Sequence, residues 1–128
     1  MITFEGFVLE DGIPIYLHIV TWLKRGIAAG QVMDGDALPS RRVLSALLGV
    51  NPNTVQKAYH MLEEEGLITS QSGAKSYVVL TPQIKLAVRQ TLLRTDIRSI
   101  VSAMAQMGLS KEEALALVEK YWEEKNEA

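Results

Sequence analysis

The chain has 128 residues, enough for one domain or one small domain with an appendage, and 48% of them are hydrophobic, which excludes a disordered chain and supplies a real core. Thirteen Lys and Arg against fifteen Asp and Glu leave a net charge of −2, and the absence of cysteine excludes disulfides, thiolate zinc sites and cysteine nucleophiles. No apolar run approaches the roughly 20 residues of a membrane span, and Met1-Ile2-Thr3-Phe4-Glu5 lacks the basic segment of a secretory signal, so a soluble cytoplasmic protein is expected.

The slightly acidic total hides an uneven distribution. Residues 1–81 carry six Lys or Arg and eight Asp or Glu, and residues 82–128 carry seven of each. Between Ala37 and Leu62 there is no acid at all, while Arg41, Arg42 and Lys57 are basic; the acids of the first part lie on either side, at Glu5, Glu10, Asp11, Asp34, Asp36 and Glu63 to Glu65. Screening over about 8–10 Å at physiological salt separates such patches in part, so an acidic protein can present a positive face, with weak non-specific affinity for nucleic acid as the cost.

In chain order, residues 2–9 (Ile2, Phe4, Phe7, Val8, interrupted by Gly6) read as a strand or an arm, and Asp11-Gly12 as a turn. Pro14 begins a helix in which Ile15, Ile19, Leu23 and Ile27 recur every fourth residue, with Tyr16, Val20 and Trp22 widening the apolar face and Gly30 closing it. His18 on this helix reads as a packed or surface histidine, not a ligand. Gln31 to Ala37 reads as a solvated loop, because Asp34-Gly35-Asp36 lacks the spacing of a calcium loop.

The next stretch organises the chain. Pro39 and Ser40 open a short helix that Ser40 can cap, Val43, Leu44, Leu47 and Leu48 give it an apolar stripe, and Gly49 stops it. Asn51 caps a second helix with Pro52 at its first position, where a missing N–H costs nothing. Val55, Ala58, Tyr59 and Leu62 face inward, leaving Asn53, Thr54, Gln56, Lys57 and His60 outside. Two helices joined by a Gly-containing turn, with short polar residues near the N-terminus of the second, form a helix-turn-helix pattern. The outer set suits DNA: Asn and Gln pair bidentately with adenine, Lys reaches guanine, and Thr meets a hydrogen-bond partner or a thymine methyl. A plain amphipathic helix with a polar outer face is the competing explanation; the acid-free stretch and a helix N-terminus that favours phosphate weigh against it.

Glu63-Glu64-Glu65-Gly66 ends the second helix, and its acids oppose the helix dipole, so a solvated end kept away from phosphate is expected. Leu67 to Gln71 and Ser76 to Leu80 read as two strands around Ser72-Gly73-Ala74-Lys75, a hairpin that forms a wing with Gly73 and Lys75 at its tip. After Thr81-Pro82, Ile84, Val88, Leu92, Ile97, Ile100, Val101 and Met104 mark a long helix ending at Gly108, dotted with Lys85, Arg89, Arg94 and Arg98. Ser110-Lys111-Glu112-Glu113 is a capping-box pattern that starts a last helix through Trp122. Such a helical hairpin must cover either the winged part or another copy of itself.

Residues 35–78 resemble the DNA-binding domain of GntR-family bacterial transcription regulators. The resemblance is carried by Gly35-Asp36, Leu38-Pro39-Ser40 with Arg42 and Leu44, Gly49-Val50, Thr54-Val55, Ala58, Leu62, Gly66-Leu67-Ile68 and Gly73. Pro14-Ile15-Tyr16 and Asn51-Pro52-Asn53-Thr54-Val55 with Ala58-Tyr59 resemble the short YtrA-type branch, which has a compact two-helix C-terminal part in place of a large effector domain. The resemblance implies that Arg42 touches phosphate or base edges, that Asn51, Asn53, Thr54, Gln56 and Lys57 sit in the major groove, and that Gly73 lies at the wing tip. Many relatives carry Arg before that Gly and a second Gly two residues later; here Ser72 and Lys75 stand there, and Lys75 is expected to substitute for the arginine.

The expected fold is therefore mainly α with a small β-hairpin: a winged helix-turn-helix over residues 1–81 and a two-helix dimerisation hairpin over residues 82–128. The expected function is sequence-specific DNA binding by a homodimeric transcriptional regulator, a repressor on a palindromic operator, through Arg41, Arg42, Asn51, Asn53, Thr54, Gln56, Lys57, Gly73 and Lys75. The alternative is a winged-helix protein–protein module without DNA binding. Two histidines far apart and no nucleophile–base pair leave catalysis the weakest reading, and no metal or cofactor is expected. A small-molecule effector, if the chain answers to one, is expected in a groove lined by Trp22, Met104, Met107 or Trp122, residues that read more simply as core or dimer seam.

Overall fold

The computed structural model describes residues 1–10, 12–71 and 75–127. Helix α1 (Ile15–Ala28) is followed by strand β1 (Ala37–Leu38), helices α2 (Arg41–Leu48) and α3 (Pro52–Glu64), strands β2 (Ile68–Gln71) and β3 (Lys75–Val78), and helices α4 (Pro82–Gln106) and α5 (Lys111–Glu127). Two compact units divide inside α4, between Leu92 and Leu93. The first turns of α4 therefore belong with the N-terminal unit, where Ile84 and Val88 pack on the core and Arg89 donates to the Ala28 carbonyl at 2.8 Å.

The N-terminal unit is built on the every-fourth stripe of α1. Ile19, Leu23 and Ile27 are buried there against Val55, Ala58, Tyr59 and Leu62 of α3, with Leu44 of α2 and Leu67, Ile68 and Val78 of the sheet region. Each buried Val, Leu or Ile of this set stabilises the fold by about 1.5–3 kcal/mol relative to exposure, which makes the set the main attractive term. The helix ends follow the local chemistry. Ser40 Oγ accepts from Val43 N at 3.1 Å, Asn51 Oδ1 accepts from Asn53 N at 2.8 Å, and Gly49 takes φ +66°, a left-handed conformation that a side chain would strain.

The stripe expected on α2 is only half used. Leu44 is buried and Leu48 half-buried, but Val43 and Leu47 are 50% and 69% exposed. Leu44 and Leu48 lie one turn apart, as do Val43 and Leu47, and the two rows are rotated by about 100°; the core lies under the first row alone.

The sheet has three antiparallel strands in the order β1-β3-β2, one more than the expected hairpin. Ile68 pairs with Val78 and Gln71 with Lys75, while Ala37 pairs with Tyr77 on the other side of β3. Two residues are too short for a strand to show a period. The segment read as a solvated loop closes this sheet instead: Asp34 Oδ1 accepts from Leu80 N, Asp36 Oδ2 accepts from Met33 N, and Gly35 N donates to the Val78 carbonyl, each at 2.8 Å. The two carboxylates are backbone acceptors here.

Residues 2–9 form an arm with no strand. Ile2 is buried and its N–H donates to Ala37 O at 2.8 Å, Phe4 stacks on Trp22 at 6.0 Å between centroids, and Phe7 meets Trp22 edge-on at 5.5 Å. Trp22 Nε1 donates to the Thr3 carbonyl. The neighbours of Trp22 are thus the arm's aromatics.

In the C-terminal unit the capping box forms as expected: Ser110 Oγ accepts from Glu113 N at 3.1 Å and Ser110 N donates to Glu113 Oε1 at 3.2 Å. Neither α4 nor α5 holds a buried residue in the single chain.

Candidate nucleic-acid interface

The first turns of α3 carry the candidate surface. Asn53, Gln56, Lys57 and His60 are exposed and Thr54 is half-buried, because the period that sends Val55, Ala58, Tyr59 and Leu62 inward leaves the other side of the helix bare. Asn51 is exposed too, but its carbonyl oxygen is committed to the cap, so only its NH2 remains to meet a ligand. The first-turn N–H groups of Asn53 and Thr54 are bonded to Asn51 and Pro52 has none, so it is the helix dipole that favours an anion here.

The cations divide into two kinds. Arg42 is exposed, and its side chain has no hydrogen-bond or ion-pair partner among the described residues. Lys57 is exposed but steered: its Nζ lies 4.1 Å from the centroid of the Tyr16 ring, on the first turn of α1. Lys75 is exposed at the start of β3, and Gly73 lies outside the described residues.

Arg41 departs from the expectation of a free DNA-facing cation. It is half-buried, its Nη2 is 3.0 Å from Glu63 Oε1 and 3.4 Å from Ser70 Oγ, and its guanidinium lies 5.2 Å from the Tyr59 ring centroid. Its Nε is buried without a hydrogen-bond partner, so packing on Tyr59 holds this head group away from water. Tyr59 is itself fixed, its hydroxyl donating to the Pro39 carbonyl at 2.6 Å. Burial pushes the Tyr59 phenol far above its ordinary value, and the Arg41 charge offsets only part of that rise.

At the end of α3, Glu64 and Glu65 are exposed, as expected of a solvated end, and Glu63 is half-buried; all three also have partners. Glu63 holds Arg41, Glu64 meets His60 Nε2 at 2.7 Å one turn back, and Glu65 holds Lys24 of α1 at 2.8 Å. Each acid opposes the helix dipole; Glu63 and Glu65 are paired with the cations Arg41 and Lys24, and Glu64 has the His60 ring as its partner.

Tyr16, Glu63 and Ser70 are the residues that sequence reasoning missed. Tyr16 read as part of an apolar face. The partners Arg41 and Glu63 are 22 positions apart, and no local pattern joins them.

Residues 15–78, the helix-turn-helix and its sheet, match the bacterial regulatory proteins of the gntR family. The chain is 30% identical over 110 residues to YhcF, an HTH-type transcriptional regulator of Bacillus subtilis, covering 86% of this chain and 91% of that one. It is 34% identical over 89 residues to the HTH-type transcriptional repressor YtrA of Bacillus subtilis, covering 69% of this chain and 68% of YtrA. A solved GntR family transcriptional regulator from Listeria monocytogenes shares its fold with a TM-score of 0.77 at 32% identity, over 88% of this chain and 98% of that chain. The winged unit is the part that the family description covers, and the chain belongs to the GntR family of bacterial transcriptional regulators.

Proposed function

We propose that the protein is a homodimeric repressor that binds a palindromic operator. Asn53, Thr54, Gln56 and Lys57, with the NH2 of Asn51, enter the major groove; Arg42 binds phosphate; Lys75 and Gly73 serve the wing beside the minor groove. The observation that carries this is the polar, acid-free side of the first turns of α3 at a helix N-terminus, next to an unpaired Arg42, with Glu63 and Glu65 beyond it paired to Arg41 and Lys24. The name of the similar YtrA supports repression. The apolar residues that α4 and α5 leave exposed support pairing of two copies through residues 82–128, and a twofold dimer reads a twofold site.

Selection of bound duplexes from a random-sequence pool, followed by gel-shift titration across a salt series, tests the reading. The expected outcome is enrichment of an inverted repeat, with log affinity falling linearly against log salt concentration. A purified, folded protein that retains no duplex at low salt overturns it.

A further inference from the structure

We propose that Arg41 makes no contact with DNA and serves as a positioning residue, locking the wing to the recognition helix α3 through Glu63 and Ser70. The inference rests on the reading that the winged unit binds an operator through α3 and the wing.

A single chain of polar contacts crosses four elements. Arg41 Nη2, from the first turn of α2, is 3.0 Å from Glu63 Oε1 near the end of α3. Ser70 Oγ on β2 donates to the same carboxylate oxygen and lies 3.4 Å from Arg41 Nη2. Ser70 Oγ meets Ser76 Oγ on β3 at 3.0 Å, and these two residues face each other in the strand register. Ser76 is buried and adjoins Lys75, the described cation of the wing. The contacts thus run from α2 through α3 to both strands and end one residue from Lys75.

Two further observations place Arg41 in this role. Its guanidinium lies over the Tyr59 ring, in the core, and its Nε is closed to water, unlike the open side chain of its neighbour Arg42. Its charge is matched by Glu63, with side-chain exposures of 22% and 32%, so the pair adds little to the field that draws a phosphate. Covalently, the hairpin hangs from α3 by the short Glu65-Gly66-Leu67 turn. Ile68 and Val78 hold the base of the hairpin in the core, and the clamp adds a polar anchor further along β2 and β3, so Arg41 and Glu63 act on the position of Lys75 relative to Asn53 and Gln56.

The test uses the full chain, the selected operator and five variants: Arg41→Ala, Arg41→Glu, Glu63→Gln, the exchange Arg41→Glu with Glu63→Arg, and Arg42→Ala. Readouts are hydroxyl-radical footprints, the salt slope of affinity, and thermal melts to confirm folding. Arg41→Ala, Arg41→Glu and Glu63→Gln are expected to lower affinity about tenfold with the salt slope unchanged, and to lose protection at the site's flanks while the major-groove core stays protected. The exchange is expected to restore the flanks, which a direct arginine–phosphate contact would not allow. A salt slope reduced by about one in Arg41→Ala overturns the proposal, as does a folded exchange variant whose flanks stay unprotected. If Arg42→Ala binds as the unaltered protein does, the phosphate role given to Arg42 fails and the clamp still stands or falls on the footprints.

Discussion

Arg41 and Arg42 are neighbours in the chain, and their surroundings differ: Arg41 is paired with Glu63 and Arg42 lies open to solvent. Arg42 has its side chain in solvent with no partner among the described residues, so under the proposed function its contribution to affinity would be a counterion released. Arg42→Ala is expected to weaken operator binding by about 1–3 kcal/mol and to lower the salt slope by about one, read by gel shift at several salt concentrations. Lys57 is steered by the Tyr16 ring, whose face, not its hydroxyl, supplies the attraction. Tyr16→Phe is therefore expected to bind as the unaltered protein does, and Tyr16→Leu to lose about 0.5–1 kcal/mol of affinity, the scale of an exposed cation–π contact. Equal losses in the two variants would place the effect on the hydroxyl. Tyr59 couples the core to α2 through its bond to Pro39. Its phenol pKa is higher folded than unfolded, so the folded state holds the proton more tightly. That stabilisation is complete below the ordinary phenol value near 10 and is lost as pH rises beyond it toward the folded value. Tyr59→Phe is expected to cost about 1–2 kcal/mol at neutral pH, because a buried carbonyl loses its donor, and to flatten the Tyr59 part of the alkaline decline, measured as urea midpoints against pH.

At the scale of the element, what the sequence revealed was what is local. Ser40 and Asn51 bond to backbone within three residues, Gly49 answers to its own φ, and Ser110 with Glu113 closes a box inside one turn, so residue type and spacing were enough. Those features fixed α2, α3 and α5 and hence the polar face of the recognition helix. What escaped was long in sequence or short in length. β1 has two residues, and Asp34 reaches Leu80 across 46 positions. The pairing of Arg41 with Glu63 was not legible, because an unpaired basic residue and one paired with a distant acid share the same letter. The exposed Val43 and Leu47 show the same limit, since a stripe on a short helix does not say how much of it another element covers. The Gly49 turn sets the angle between α2 and α3. A Cβ there meets nothing within 4 Å, so Gly49→Ala is expected to cost only the backbone strain, about 1–2 kcal/mol. Urea unfolding checks it, and an unchanged midpoint would mean that the turn relaxes freely.

At the scale of the whole molecule, the second unit carries apolar side chains that the single chain leaves uncovered. Residues from Leu93 onward form part of one helix and a second, capped helix, yet Ile97, Ile100, Val101, Val118, Tyr121 and Trp122 stay between 44% and 69% exposed in the single chain. A segment of this size cannot bury enough surface by itself to offset the ordering of its backbone. A second copy supplies the same apolar residues twice, and a twofold contact needs no further sequence. Placing a carboxylate in such a seam takes a charge out of water without a partner, a penalty of several kcal/mol. Ile100→Glu together with Val118→Glu is therefore expected to raise the dimer dissociation constant by at least about a hundredfold, measured by light scattering over a concentration series. If the proposed dimer orders these helices, helix content falls together with dimerisation, while the winged unit, with its own core of Ile19, Leu23, Val55 and Tyr59, keeps its melting transition. Binding to a single half-site should persist and binding to the inverted repeat should weaken, since two heads joined by a dimer bind the second half-site at high effective concentration. A doubly substituted protein that still scatters as a dimer would place the pairing surface elsewhere, and Ile100 and Val118 would then need another cover.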